Sequence, residues 1–270
     1  MPLLNRRRMA LLFALPALLV PVIEIPLVLW ARASFLAMYP DYMDDPPTVS
    51  RAINEPSLGI PFADLNLVIT ACIMMVLPIV LLSYALAVSR LKLSPARRNT
   101  MYGLMLLFVA FQVAASTGVV ITTQYTFDID HDMHMLGSYV FFFFQAVTIM
   151  VAATLCRVLL HHQTKAAIPD HEWHFPPGMH RFRFRFALLI VALALLFGVL
   201  FVIKDHALPV SAYAVQVMYT QTEVIVITCF VLFLGSYGVD IHHMIRHGKL
   251  QLGNRQPRAG AGAAEPAVKQ

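Results

Sequence analysis

Charge is scarce in this chain. Asp, Glu, Lys and Arg make up 13% of its 270 residues, against about 25% in a soluble globular domain. That shortage excludes an ordinary soluble domain. Cysteine is scarce too. Cys72, Cys156 and Cys229 each lie inside an apolar run, so they read as small buried hydrophobes and exclude a disulfide framework or a zinc site. No G-x-S-x-G elbow, no glycine-rich phosphate loop and no internal repeat occurs. The nearest approach to H-E-x-x-H is His171-Glu172-Trp173-His174, whose histidines are three apart rather than four, which argues against a metalloprotease site. Metal ligands and cofactors are therefore not expected. The net charge of +5 follows from topology and calls for no nucleic-acid partner.

Apolar residues are what the chain has in excess, at 59%. They gather in six runs, near 9–30, 64–88, 101–123, 133–157, 184–203 and 211–239. About 20 helical residues cross a hydrocarbon core of roughly 30 Å, so the expected fold is all-α, a polytopic six-helix transmembrane bundle. Arg6, Arg7 and Arg8 precede the first run in the manner of a signal peptide. That run exceeds the roughly 7–15 residues of a signal h-region, and it is expected to stay as the first helix. Arg6–Arg8, Arg90, Lys92, Arg97, Arg98, Arg157, Lys165, Arg181, Arg183, Arg185, Arg246 and Lys249 fall on one side, and Asp41, Asp44, Asp45, Glu55, Asp128 and Asp130 on the other. The positive-inside rule puts both termini in the cytoplasm. Residues 1–249 form the membrane domain, and the Gly/Pro-broken segment 250–270 reads as a disordered cytoplasmic tail.

The first outer loop, about 31–63, is rich in Pro, Asp and Asn. It cannot be one continuous helix and is expected to cap the outer mouth of the bundle. On the inner side, Arg181-Phe182-Arg183-Phe184-Arg185-Phe186 suits the interface, with rings in the headgroup layer and cations near anionic lipid.

Polar residues inside the spans carry the functional signal. At 3.6 residues per turn, Tyr213, Gln216, Thr220 and Glu223 share one face of the sixth span; His131, His134, Ser138 and Gln145 share a face of the fourth; Gln112 and Ser116 are one turn apart in the third. Asp64 stands where the second span enters from outside, and Glu24 lies within the first. A charge at mid-bilayer costs about 2.5–3.5 kcal/mol on insertion scales and normally faces the bundle interior or a wet cavity. These stripes predict a polar pocket that opens outward, with Phe127-Asp128-Ile129-Asp130-His131-Asp132-Met133-His134 at its rim and Glu223 at its floor. The competing reading is that Gln112, Ser116, Ser138 and Thr220 only tie helices together, at about 0.6 kcal/mol each.

Three chemistries suit the rim. His131, Asp132 and His134 have metal-ligand side chains in no strong metal spacing. Ser50 and His131 form a possible nucleophile–base pair on the same side. His131 alone suits a general base, with an ordinary pKa near 6.5. His242, His243 and His247 follow the last span, where histidine complements a helix C-terminus.

Taken in order, the motifs resemble a known family. They are Pro47-Thr48-Val49-Ser50 in the first outer loop, His131-Asp132 opening the fourth span, and Glu223 seventeen residues before Asp240 in the last. Together with six spans, they resemble the Frag/DRAM/Sfk family over roughly residues 10–245. That family includes autophagy modulators and factors that remodel the lipid of GPI anchors. Val224 follows Glu223 where family members often carry an aromatic residue. The resemblance implies lipid handling on the non-cytoplasmic side. Ser50, His131, Glu223 and Asp240 are its carried positions, and a headgroup is expected near Ser50, Asp64 and His131. Asp132, His134, Gln145, Gln216, Thr220 and Gln112 are the further candidate ligand-binding residues. The expected partner is a glycolipid or phospholipid, in Golgi, ER or lysosomal membrane for a eukaryote and inner membrane for a bacterium. Acyl transfer and plain lipid binding both remain open. Two other readings compete with this one. One is an adaptor that recruits a cytoplasmic protein through its inner loops and tail. The other is an ion-coupled transporter using Glu24 and Glu223.

Overall fold

The structure is a computed structural model, and residues 3–43, 45–165, 175–204, 206 and 211–247 are described. The His171–His174 tetrad, Lys249 and the tail at 250–270 lie outside the described residues.

The chain is a bundle of long helices. They are α1 (Leu3–Met38), α3 (Pro56–Arg90), α4 (Pro95–Gln124), α5 (His131–Lys165), α6 (Pro177–Ile203) and α7 (Ala212–Arg246), with a single-turn α2 (Val49–Ala52) and a 3-10 turn at Pro40–Met43 between the first two. Six of these are long and apolar enough to cross a membrane. A 35-residue helix such as α5 is about 52 Å long, against a hydrocarbon core of roughly 30 Å. α1, α3, α4 and α5 therefore extend past their apolar runs at both ends, and α6 and α7 at one end. In consequence the first outer loop is shorter than the 31–63 expected, running from Tyr39 to Glu55. Helix starts follow local chemistry. Pro95 and Pro177 occupy first-turn positions, where a missing N–H costs nothing, and Ser94 caps α4 by accepting from Arg97 N–H.

α7 is the hub. It packs on α1 and α6 and also reaches α2, α3 and α5, and 72% of its most apolar window is buried, against 22–39% for the other spans. α1 lies close against it because Gly235 and Gly238 have no side chain. A Cβ at Gly235 would stand 2.7 Å from Pro21 Cγ, and one at Gly238 would stand 2.8 Å from Leu18 Cδ2. On the far side α4 and α5 meet almost backbone to backbone. A Cβ at Gly118 would fall 2.5 Å from the Phe141 nitrogen, and one at Gly137 would fall 2.6 Å from the Thr122 nitrogen. Small residues of this kind are how membrane helices gain close packing where lipid is as apolar as leucine.

The core has two parts. The larger runs from Ala10 and Tyr84 to Phe233 and Ile241. The outer one joins Val20, Leu27 and Val28 of α1 to Val224 and Val231 of α7, and takes in Val49, Ala52 and Ile53 of the outer loop. The loop is thus part of the fold.

One inner-face expectation is overturned. Arg183 is fully buried. It donates to Asp240, to the Ser236 hydroxyl (2.7 Å) and to the Ser236 carbonyl (2.6 Å), and its guanidinium sits 4.4 Å from the Tyr237 ring centroid. The period-two alternation Arg-Phe-Arg-Phe-Arg-Phe suggests uniform solvation. On a helix, however, residues two apart point about 200° apart. Arg181 and Arg185 therefore face outward while Arg183 turns into the bundle.

Candidate functional site

The segment 45–54 lies over the outer ends of α1 and α7, and three side chains hold its backbone. Gln216 Nε2 donates to the Pro46 carbonyl (3.4 Å), Arg32 Nε to the Pro47 carbonyl (3.0 Å), and Val49 N–H donates to Glu223 Oε2 (2.8 Å). Thr48 caps α2 by accepting from Arg51 N–H at 3.0 Å. A further tie runs from Asp128 N–H to Asn54 Oδ1 (3.0 Å). Gly59 admits the close approach, since a Cβ there would stand 2.2 Å from the Ile53 carbonyl oxygen. Glu55 accepts from the Tyr39 hydroxyl (2.7 Å) and from Ser57 (3.2 Å). The Tyr39 bond chiefly holds the Glu55 carboxyl below the usual carboxylate range and pushes the Tyr39 phenol up.

Beside this cap a cavity of about 1600 Å³ opens between α5 and α6. Its walls are Phe143, Val147 and Met150 of α5 facing Val191, Ala194, Leu195 and Gly198 of α6. Its outer end is polar, where Asp45, Thr48, Ser50, Arg51 and Asn54 meet Asp128, His131, His134, Ser138, Lys204 and Gln216. Arg51 pairs with Asp45 (3.1 Å), and the Lys204 ammonium lies 5.6 Å from the Phe201 ring and 5.7 Å from the Tyr219 ring.

The expected site residues divide. Ser50, His131, His134 and Gln216 line this cavity, although no hydrogen bond joins Ser50 to His131. Glu223 is buried but is not the cavity floor, because the loop's own Val49 N–H occupies its carboxylate. Asp64 and Asp132 are exposed and do not line this cavity; Asp64 lies two turns into α3, since that helix starts at Pro56. Gln112 and Gln145 bond each other (3.2 and 3.4 Å), with Ser116 Oγ 3.4 Å from Gln112 Nε2. Thr220 returns its hydroxyl to Val217 O at 3.2 Å. All four are buried outside the cavity; the Gln112–Gln145 pair ties α4 to α5, whereas Ser116 and Thr220 bond within their own helices. Asp240 belongs to the inner Arg183 pair.

Much of the rim motif is a helix junction. Asp130 Oδ1 caps α5 by accepting from Met133 N–H (3.0 Å). Phe127 lies against both histidines, 5.0 Å from the His131 ring and 4.2 Å from the His134 ring. His134 is fully buried, and its Nδ1 sits 3.0 Å from the Thr122 carbonyl and 2.9 Å from that of Tyr125. His131 is exposed. Among the described residues no three His, Cys, Asp or Glu side chains gather to hold a metal ion.

Sequence reasoning passed over Arg32. It was placed in the loop, but α1 runs to Met38. The signal was present, because Arg32 lies two turns beyond Glu24 on the buried face of α1.

Six apolar helices, one of them central, with a half-polar cleft open at one side, define a polytopic integral membrane protein. The chain belongs to the family of the Frag1/DRAM/Sfk1/Cwh43P N-terminal domain, whose family model matches residues 16–244. No curated protein and no solved structure matches it.

Proposed function

We propose that this protein handles a membrane lipid, taking it sideways between α5 and α6 with the headgroup beneath the cap segment 45–54. The observation that carries this reading is the two-part cleft. It is apolar where two spans diverge and polar only at the outer end, which is the polarity of a lipid. At about 1600 Å³ it exceeds the roughly 300–1,000 Å³ of small-molecule pockets. Family membership supports the same reading, with remodelling of a GPI anchor or a phospholipid as the process served. His131 and Ser50 stand at the headgroup end. Glu223 and Arg32 act one step back, by holding the cap in place.

Native mass spectrometry of the detergent-purified protein beside its Gly198→Trp variant tests this. Gly198 lines the cleft, and a Cβ there meets nothing within 4 Å, so the indole can fill the space without disturbing the helix. The expected result is a defined lipid carried by the wild type and lost from the variant. An identical lipid complement in both would contradict the reading.

A further inference from the structure

We infer that the cleft mouth selects a zwitterionic phospholipid, holding its phosphate against Lys204 and Arg51 and its amine toward Asp128 and Asp45. This rests on the reading of the cleft as a lipid site. Basic residues are rare at the end of the bundle that carries the cap. Among the described residues only Arg32, Arg51 and Lys204 stand there, and the other Lys and Arg fall toward the opposite end, as the positive-inside rule asks of the cytoplasmic side. The exceptions converge on one place. Arg51 and Lys204 line the mouth of the cleft, and Arg32 ties down the cap segment beside it.

Both cationic groups lie among cleft residues. The Lys204 ammonium is 5.6 Å from the Phe201 ring and 5.7 Å from the Tyr219 ring, and both rings line the cleft. The Arg51 guanidinium donates through one N–H to Asp45, itself a cleft residue, and lies 4.9 Å from the Tyr42 ring centroid, which steadies its plane. A guanidinium carries five N–H donors, so it can keep Asp45 and still donate to a phosphate oxygen. Charge balance sets the rest. Among the described residues the fixed charges of the mouth are Arg51 and Lys204 on one side of the balance and Asp45 and Asp128 on the other. An uncharged headgroup would use neither pair, and a purely anionic one would meet two carboxylates with nothing to offer them. A headgroup with one charge of each sign satisfies both. Depth gives the same answer. Lys204 is half-buried, whereas Asp45 and Asp128 are exposed. In a zwitterionic phospholipid the phosphate is the charge nearer the chains, and the amine lies outward. Lys204 and Arg51 are on this reading specificity-determining for the phosphate, and Asp128 for the amine.

The test titrates the detergent-purified whole protein with three lipids that share dioleoyl chains: phosphatidylethanolamine, phosphatidylglycerol and diacylglycerol. Occupancy is read by native mass spectrometry, and the shared chains leave the headgroup as the only difference. Wild type should take phosphatidylethanolamine over diacylglycerol by about fivefold or more, the effect of half-exposed ion pairs, and over phosphatidylglycerol by a smaller margin. Lys204→Gln combined with Arg51→Gln should bring phosphatidylethanolamine down to the level of diacylglycerol. Asp128→Asn should erase the preference for phosphatidylethanolamine over phosphatidylglycerol and keep that of both over diacylglycerol. Equal occupancy of the wild type by all three lipids, with Gly198→Trp lowering all of it, would overturn the inference and leave the lipid site standing. A wild type that favours phosphatidylglycerol would overturn it in the same way. Failure of all three lipids to bind would overturn both readings. The wild-type comparison decides the matter even if a variant does not fold.

Discussion

Removing the Glu223 carboxylate should release the cap. Its Oε2 accepts the Val49 N–H at 2.8 Å, and both groups are buried. A hydrogen bond to a charged group contributes about 1.5–3 kcal/mol, and about 1.4 kcal/mol is a factor of ten in an equilibrium. In Glu223→Ala the opening equilibrium at Val49 should therefore rise roughly 10- to 100-fold. The nearby Arg32 guanidinium also loses its opposing charge, which adds to the effect. Glu223→Gln keeps an acceptor carbonyl in place and should fall between. Hydrogen exchange of residues 46–53, followed by mass spectrometry in nanodiscs, reads the change directly. Exchange in the packed α4–α5 contact around Gly118 and Gly137, away from the Asp128–Asn54 tie, serves as the control and should not move. Unchanged exchange across the cap in Glu223→Ala would refute the claim that this carboxylate holds the segment. A uniform rise everywhere would assign Glu223 to global stability instead.

Gly118→Val should lower thermal stability by about 1–3 kcal/mol or more, because its Cβ would meet the Phe141 nitrogen at 2.5 Å; an unchanged melting temperature would contradict the close α4–α5 contact. Removing Arg183 or Asp240 singly should cost about 3–5 kcal/mol, whereas Arg183→Met with Asp240→Leu should recover most of it, and additive losses in the unfolding cycle would show that the two do not act as a pair. The Glu55–Tyr39 bond should hold only within a pH window. Glu55 has its folded pKa depressed, so its contribution is full above the ordinary carboxylate value and fades as pH falls through the lower, folded one. Tyr39 has its folded pKa raised, so its contribution is full below the ordinary phenol value and fades as pH rises through the higher one. A fluorine label on the Tyr39 ring should report loosening at either extreme and none between pH 6 and 8, a range about two units inside both ordinary values; a response centred at neutral pH would contradict this assignment.

The spans were legible because twenty or so apolar residues admit few structures besides a transmembrane helix. Their true ends were not, since hydropathy marks only the apolar stretch and α1, α3 and α5 run on past it at both ends. Polar stripes on α5 and α7 point to a pocket, and Ser50, His131, His134 and Gln216 line one cavity. Its position was missed. Stripes show which residues avoid lipid, but cannot distinguish a side chain facing a cleft from one facing another helix. Gln112 and Gln145 bond each other, and the Glu223 carboxylate is taken by a backbone amide 174 positions away in sequence. The apolar walls of the cleft, at Val147, Ala194 and Gly198, gave no signal because in a membrane span they look like any lipid-facing surface. The two rim histidines are one turn apart and equivalent in sequence. Only the α4 carbonyls single out His134 as the oriented one.

The central claim is that a lipid occupies the space between α5 and α6. A photoreactive phenylalanine analogue placed at Ala194, inside the cleft, and at Leu106, which is exposed on α4, reads it most directly in native membranes. Mass spectrometry of the crosslinked lipids should find one lipid class enriched at position 194 and the bulk composition at 106. The same bulk composition at both positions would mean that the cleft is ordinary lipid-facing surface.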